Sequence, residues 1–247
     1  MNISVCIATY NGEKFIEAQL ESILHQLDSD DEVIIVDDCS QDRTVDIING
    51  YNDKRIKLYL NKINKKHVCT FEKAIKHAKK DLIFLSDQDD IWVKDRVKLI
   101  KSYFTSTNCL LISSNFSLFD KYQKSMLSRN PLKSKDSQKY LNNIFGILFG
   151  KRDYYGCAMA FRKELLEVIL PIPSYVKSHD LWIAIAANLL KSNLHIEEIT
   201  VNRRIHDNNV TVTNRTLKEK IDTRLFFLFR AVLELEKRIK SYGESVN

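Results

Sequence analysis

Four short apolar runs, Ile3 to Thr9, Glu32 to Val36, Ile56 to Leu60 and Leu82 to Leu85, alternate with stretches of helical periodicity. Phe15, Ile16, Leu20, Ile23 and Leu24 recur at helical spacing, and Val45, Ile47 and Ile48 mark a second helix. Phe71, Ala74, Ile75 and Ala78 fall at i, i+3, i+4 and i+7, which predicts a third helix from Thr70 to Lys80. Strand and helix in strict alternation imply right-handed crossovers and a parallel sheet. The carboxyl ends of the strands then share one rim, where open α/β sheets bind their ligands. On that rim the sequence places Thr9-Tyr10-Asn11, Asp37-Asp38 and Asp87 to Asp90.

The last of these clusters is the most loaded with charge. Asp87, Asp89 and Asp90 follow directly on a buried-strand pattern, and such carboxylates repel by about 4 kcal/mol per pair at roughly 4 Å and an effective dielectric near 20. Residues at i and i+2 of an extended segment point to one side, so Asp87 and Asp89 can share a hard divalent cation, Mg²⁺ or Mn²⁺. The competing reading is an acidic turn, with Asp89 or Asp90 as N-cap of a helix predicted over Trp92 to Phe104.

Beyond Phe104 the pattern predicts a strand at Cys109 to Ser113, a mobile polar loop from Asp120 to Lys139 and a strand at Tyr154 to Phe161. A helix at Arg162 to Leu170 is stopped by Pro171 and Pro173. Ser178 is placed to cap a helix whose first turn presents His179 and Asp180, and Ile196 to Val201 reads as a strand. From Arg215 to Lys240 runs one long amphipathic helix, with eight Lys/Arg against four Asp/Glu. Its apolar face, widened by Phe226, Phe227 and Phe229, is too broad to be solvated. Three partners can cover it: its own domain, a second copy of the chain, or an anionic inner membrane leaflet.

At 247 residues the chain fits one large α/β domain, and only 6 Gly and 3 Pro argue against a linker-rich protein. Five cysteines without a C-x-x-C pair read as reduced thiols. With no leader pattern and no apolar span, the expected location is cytoplasmic, or peripheral on the inner face of the membrane. A net charge of +6, dispersed along the chain, argues against a nucleic-acid partner and is compatible with anionic phosphates.

Taken in order, six segments resemble an inverting glycosyltransferase of family 2 with the GT-A fold, most of all the bacterial rhamnosyltransferase-like members. They are Ser4 to Gly12, Val36 to Asp42, Leu85 to Trp92, Gly156-Cys157, His179 to Trp182 and Arg204 to Asn209. The resemblance implies a Rossmann-like, mostly parallel sheet in residues 1–212, with a nucleotide-sugar half (1–105) and an acceptor half (106–212). Residues 213–247 form a helical extension. It further implies that Thr9, Tyr10, Asn11, Asp37 and Asp38 hold base and ribose, that Asp87 touches the ribose, and that Asp89 holds Mg²⁺ or Mn²⁺ against the diphosphate. His206 would reach the metal and Arg204 a phosphate. Asp180 falls at the general base, with His179 and Trp182 toward the acceptor. Helix capping by Asp37-Asp38, a structural His179 and a surface-turn His206 are the bland alternatives, and Trp92 reads as packing behind the acidic loop.

The implied donor is a UDP- or dTDP-linked hexose or deoxyhexose, and the implied acceptor a surface polysaccharide or lipid-linked glycan. A homodimer is compatible with the terminal helix. The other reading is a non-catalytic nucleotide-sugar binding or scaffold subunit. One departure stands out: many relatives have Asn-x-Gly and a nearby Arg after the third strand, where this chain has Asn61 to His67 without glycine and Lys65 or Lys66 as the available cation.

Overall fold

The computed structural model describes residues 1–119, 125–127, 130–205 and 217–246. The first half follows the alternation: β1 (Ile3–Thr9), α1 (Ile16–Leu24), β2 (Glu32–Asp37), α2 (Thr44–Asn49), β3 (Ile56–Leu60), α3 (Lys66–His77) and β4 (Leu82–Asp87). β1 pairs in parallel with β2 and β4, and β2 with β3. β5 (Ile91–Trp92) and α4 (Arg96–Ser106) come next, then β6 (Leu111–Phe119), β7 (Ser125–Leu127), α5 (Tyr140–Leu148), β8 (Met159–Arg162), α6 (Leu166–Ile169), α7 (His179–Leu189), β9 (Asn193–Arg204) and α8 (Leu217–Val246).

All nine strands join one sheet in the order β3-β2-β1-β4-β8-β6-β9-β5, with β7 on β6. Its first half is parallel; β8 then runs antiparallel to both β4 and β6, and β9 returns parallel to β6. Side chains alternate across the sheet. Cys6, Ile34 and Val36 face a core closed by α3, α5, α6, α7 and α8, while Ile3, Val5, Ile7, Val33 and Ile35 face one closed by α1, α2 and α4.

Several predicted boundaries move. α3 begins at Lys66 rather than Thr70, because its first turn is largely solvated and carries no apolar stripe to announce it. Trp92 opens no helix. It lies on β5, paired with Val201 of β9, and α4 starts only after Asp95, whose φ of 62° turns the chain. Neither Asp89 nor Asp90 is therefore an N-cap. Within the expected mobile loop, β7 and a 3₁₀ turn at Ser134–Asp136 form, and Leu132 is buried. Tyr154 to Phe161 is strand only from Met159, preceded by a 3₁₀ turn at Gly156–Ala158.

Helix α8 docks on its own domain. Leu228, Ala231 and Leu235 are buried in the core that also holds Val168, Ile169 and Trp182. Arg238 fastens it further, donating to the carbonyls of Val168 at 3.2 Å and Pro171 at 2.8 Å. Among the described residues, no helix is long and apolar enough to cross a membrane.

Candidate active site

The rim expected from the strand ends is assembled at the carboxyl edge of β1, β2 and β4. Gln88 ties two of its parts together: its Oε1 accepts the N–H of Tyr10 at 2.8 Å and its Nε2 donates to the Tyr10 carbonyl at 3.0 Å. Behind the acidic loop, buried Gln19 donates to the Asp87 carbonyl at 2.9 Å and to Ser86 Oγ. Trp92 is buried there as well, its indole N–H on Ser86 Oγ at 3.2 Å and its ring under the Arg96 guanidinium at 4.4 Å. Burial draws Arg96 down to about 10.

Asp87 and Asp90 come together with Cys157, their ligand-type atoms within 4.8 Å of one another. Burial and then the neighbouring Asp89 push Asp87 up to about 7; Asp180 adds to the rise, and Arg203 opposes it. Asp90 is raised well above the usual carboxylate range, first by burial and then by Asp87 and Asp89. One of its oxygens accepts the backbone N–H of Arg204 at 3.1 Å, and Oδ2 is buried without a hydrogen-bond partner. Burial and these two carboxylates hold the Cys157 thiol well above its ordinary value, and a soft sulfur ligand suits Mg²⁺ or Mn²⁺ poorly. What remains is a set of carboxylate oxygens with an unsatisfied buried member, which fits a hard divalent cation such as Mg²⁺ or Mn²⁺. Asp89 is half-buried and borders this pair, while Asp90 is fully enclosed.

On the nucleotide side, Asp37 accepts from Thr9 Oγ1 at 2.9 Å, from the Ser40 N–H at 2.9 Å and from Ser40 Oγ at 2.5 Å. Asp38 accepts from Asn61 Nδ2 at 2.9 Å and from the N–H groups of Lys65 and Lys66, each at 2.8 Å. Both carboxylates are buried. They thus organise the two loops that flank the rim, while Tyr10 and Asn11 lie exposed on it. Asn11 takes a left-handed φ of 49° and accepts the Gln41 N–H at 2.8 Å. The missing glycine after β3 has a structural counterpart: Lys66 carries a φ of 66°, a conformation that costs a non-glycine residue roughly 1–2 kcal/mol.

Ser178 caps α7 as expected, accepting the Leu181 N–H at 3.4 Å. Asp180 accepts the same N–H at 2.9 Å and a hydrogen bond from Ser178 Oγ, so the first helical turn holds its carboxylate in place. Gly156 lets this turn approach the sheet: a methyl group there would stand 3.0 Å from His179 Nε2 and 3.7 Å from Asp180 Cβ. His179 is buried against the Phe71 ring at 4.2 Å, with neither ring nitrogen hydrogen-bonded, and burial lowers it to about 4.

Trp182 corrects the sequence reading. It is 0 % exposed and its indole N–H donates to the Ile169 carbonyl at 2.9 Å, so no face is open for a sugar. Arg204 stacks on Phe119 at 4.5 Å and donates from Nε to the Asp89 carbonyl at 3.1 Å, which makes it a clamp on the acidic loop. Among the described residues, the cation turned toward Asp87 and Asp90 is Arg203, which also lies 4.5 Å above the Tyr155 ring. Burial works against its charge, and the nearby Asp87 and Asp90 carboxylates favour it. Its role was readable had the strand been extended from Val201 to Arg204, since neighbouring strand residues face opposite ways. His206 lies outside the described residues.

Known proteins share the fold and part of the sequence. The dTDP-rhamnosyl transferase RfbG of Shigella flexneri is 38% identical over 116 residues, covering 44% of this chain and 40% of that protein. The UDP-Glc:alpha-D-GlcNAc-diphosphoundecaprenol beta-1,3-glucosyltransferase WfgD of Escherichia coli is 29% identical over 118 residues, 48% of this chain and 47% of that protein. The match thus spans less than half the length of either relative. Residues 1–349 of S. aureus TarS in complex with UDP-GlcNAc superpose with a TM-score of 0.73 at 19% identity, covering 94% of this chain and 67% of that one. The mannosyltransferase PcManGT of Pyrobaculum calidifontis, in complex with GDP-Man and Mn²⁺, gives 0.63 at 16% identity, over 98% and 75%. These likenesses establish a GT-A fold. Because the model of the family described as "Glycosyl transferase family 2" matches residues 4–170, more than half of the sequence, the chain belongs to that family.

Proposed function

We propose that the chain transfers a hexose or deoxyhexose, with inversion, from a UDP- or dTDP-linked donor to a bacterial surface-polysaccharide or lipid-linked glycan acceptor. One observation carries this reading: Asp180, held by the first turn of α7, has its Cβ 3.7 Å from where a methyl group on Gly156 would stand, next to the Cys157 that lies with Asp87 and Asp90. A carboxylate facing a cation-binding carboxylate group is what an in-line displacement at an anomeric carbon needs. Asp180 takes the proton of the acceptor hydroxyl as it attacks the face away from the diphosphate. Asp87 and Asp89 would hold the divalent cation, and Arg203 adds positive charge on the same side. When bound, the cation supplies Lewis-acid stabilisation of the departing nucleoside diphosphate. Tyr10, Asn11 and the loops ordered by Asp37 and Asp38 receive the nucleoside.

The names of the relatives support the donor class, as one acts with a dTDP-linked rhamnose and another with UDP-Glc on a diphosphoundecaprenol-linked acceptor. A mannosyltransferase of the same fold in complex with Mn²⁺ supports the metal. The test is release of nucleoside diphosphate from a panel of dTDP-rhamnose, UDP-Glc, UDP-Gal and UDP-GlcNAc, with Mg²⁺, Mn²⁺ or EDTA. Metal-dependent turnover of one donor supports the reading; absence of both binding and turnover across the panel contradicts it.

A further inference from the structure

Docking of α8 uses only one of its faces. The opposite face exposes Leu225, Phe226, Phe229 and Leu233, at 53%, 64%, 64% and 44%. α5 does the same: Leu141, Phe145 and Phe149, one helical turn apart, are 67%, 56% and 59% exposed. The two helices pack on one another. They meet where a methyl group on Gly150 would fall 2.7 Å from the Arg224 guanidinium. At the ~200 Å² that an aromatic side chain can bury, the two stripes offer on the order of 700 Å². The largest apolar patch of a typical monomer is about 300–600 Å².

The charge around these stripes favours one kind of partner. From Arg224 to Lys240, α8 carries five basic residues, Arg224, Arg230, Lys237, Arg238 and Lys240, against Glu234 and Glu236. Arg224, Arg230, Lys237 and Lys240 are exposed, and Lys151 follows α5 just past Phe149. Arg230 lies over both Tyr175 and Phe226, at 4.0 and 5.4 Å, its stem along apolar rings and its charge at the edge. Apolar side chains flanked by snorkelling cations suit the interface of an anionic bilayer. A second copy would instead bring two surplus-positive stripes together.

We propose that α5 and α8 form a membrane-docking surface, with Phe145, Phe149, Phe226 and Phe229 entering the headgroup region and Arg224, Arg230 and Lys237 meeting anionic lipid. The chain leaving Phe149 reaches Tyr155, under Arg203, within six residues, so the surface lies within about 20 Å of the candidate active site. Docking would bring the site to a lipid-linked acceptor, so its purpose rests on the function proposed above. Its occurrence does not, since it is measured without donor or acceptor.

The experiment is co-sedimentation of the full chain with vesicles of phosphatidylglycerol and phosphatidylcholine, or of phosphatidylcholine alone, at low and high salt. The variants are Phe226→Ser with Phe229→Ser, and Arg224→Gln with Lys237→Gln; all four positions are exposed, and circular dichroism checks the fold. The expected result is binding to the anionic vesicles, weakened on the order of 10-fold by either double variant and by salt. Equal binding to both vesicle types, or no effect of either variant, overturns the proposal. So does a wild-type dimer in sedimentation velocity that the phenylalanine variant converts to monomer while vesicle binding is absent. If vesicles bind as expected but no nucleotide sugar is turned over, the docking surface stands and the proposed function fails.

Discussion

Arg204 and Asp90 are joined by a hydrogen bond from the Arg204 backbone N–H to one carboxylate oxygen at 3.1 Å, and the other oxygen of Asp90 is buried with no hydrogen-bond partner. The bond pins the end of β9 to the acidic loop and turns Asp90 inward, while Asp89 stays on the solvent side. Proximity of Asp87, Asp90 and Cys157 could mark an inner cation site, whereas the more accessible pair is Asp87 and Asp89.

Calorimetric titration of UDP and dTDP with Mn²⁺ and with EDTA separates the two. The account expects Asp89→Ala to abolish the metal-dependent part of nucleotide binding. Asp90→Asn should keep it within a few-fold and lose stability instead, through the loop it anchors. The reverse ranking would move the ligand pair to Asp87 and Asp90.

Trp182 fills the space between α6, α7 and α8, with Arg238 at 5.3 Å from its ring. Trp182→Ala is expected to cost roughly 3–5 kcal/mol in a denaturant melt, as for other large buried aromatics. Trp182→Phe should cost less while leaving the Ile169 carbonyl unpaired, with donor affinity unchanged. A Trp182→Phe protein of full stability but weakened acceptor use would restore the sugar-stacking role.

Two buried histidines set an acid limit. His195 accepts or donates across 2.7 Å to the Tyr154 hydroxyl, and burial, with Arg152 nearby, lowers it to about 4; burial lowers His179 to about 4 as well. Below about pH 6.5 the unfolded chain takes up protons that the folded protein refuses. The histidines' contribution is therefore full above that pH and is lost as pH drops toward 4, by on the order of 1–3 kcal/mol for His195, while Asp87 and Asp90, raised by burial, act in the opposite sense over the same range. Urea melts between pH 4 and 8 should show wild type losing more stability, relative to His195→Gln, as pH falls from about 6.5 toward 4. An unchanged slope in that variant would assign the acid loss elsewhere.

How much of this was legible follows from where periodicity carries information. β1 and β3 sit where the apolar runs placed them: β1 is buried on both faces and reads as a continuous apolar run, while β3 is a half-buried edge strand marked by Ile56, Leu58 and Leu60. α5 left no such trace. Ile144, Ile147 and Leu148 face the core, but Leu141, Phe145 and Phe149 are apolar on the outside, so no polar stripe reveals the helix. The same outward apolar residues form part of the docking surface proposed above. At the site, Asp87 and Asp180 were readable as strand-end and helix-start carboxylates. The inward turn of Asp90, the burial of Trp182 and the facing of Arg203 depend on β5 pairing with β9, a contact between residues over a hundred positions apart that no local pattern encodes.

The most direct test of the account is the turnover of Asp180→Asn with the donor identified from the panel. The substitution keeps size and can still accept the Leu181 N–H, but it removes the proton acceptor. Donor affinity should stay near wild type while transfer falls by roughly 10²-fold or more, the scale of a lost general base. Transfer by Asp180→Asn at the wild-type rate would contradict the assignment of Asp180 as the base, and with it the geometry on which the proposed reaction rests.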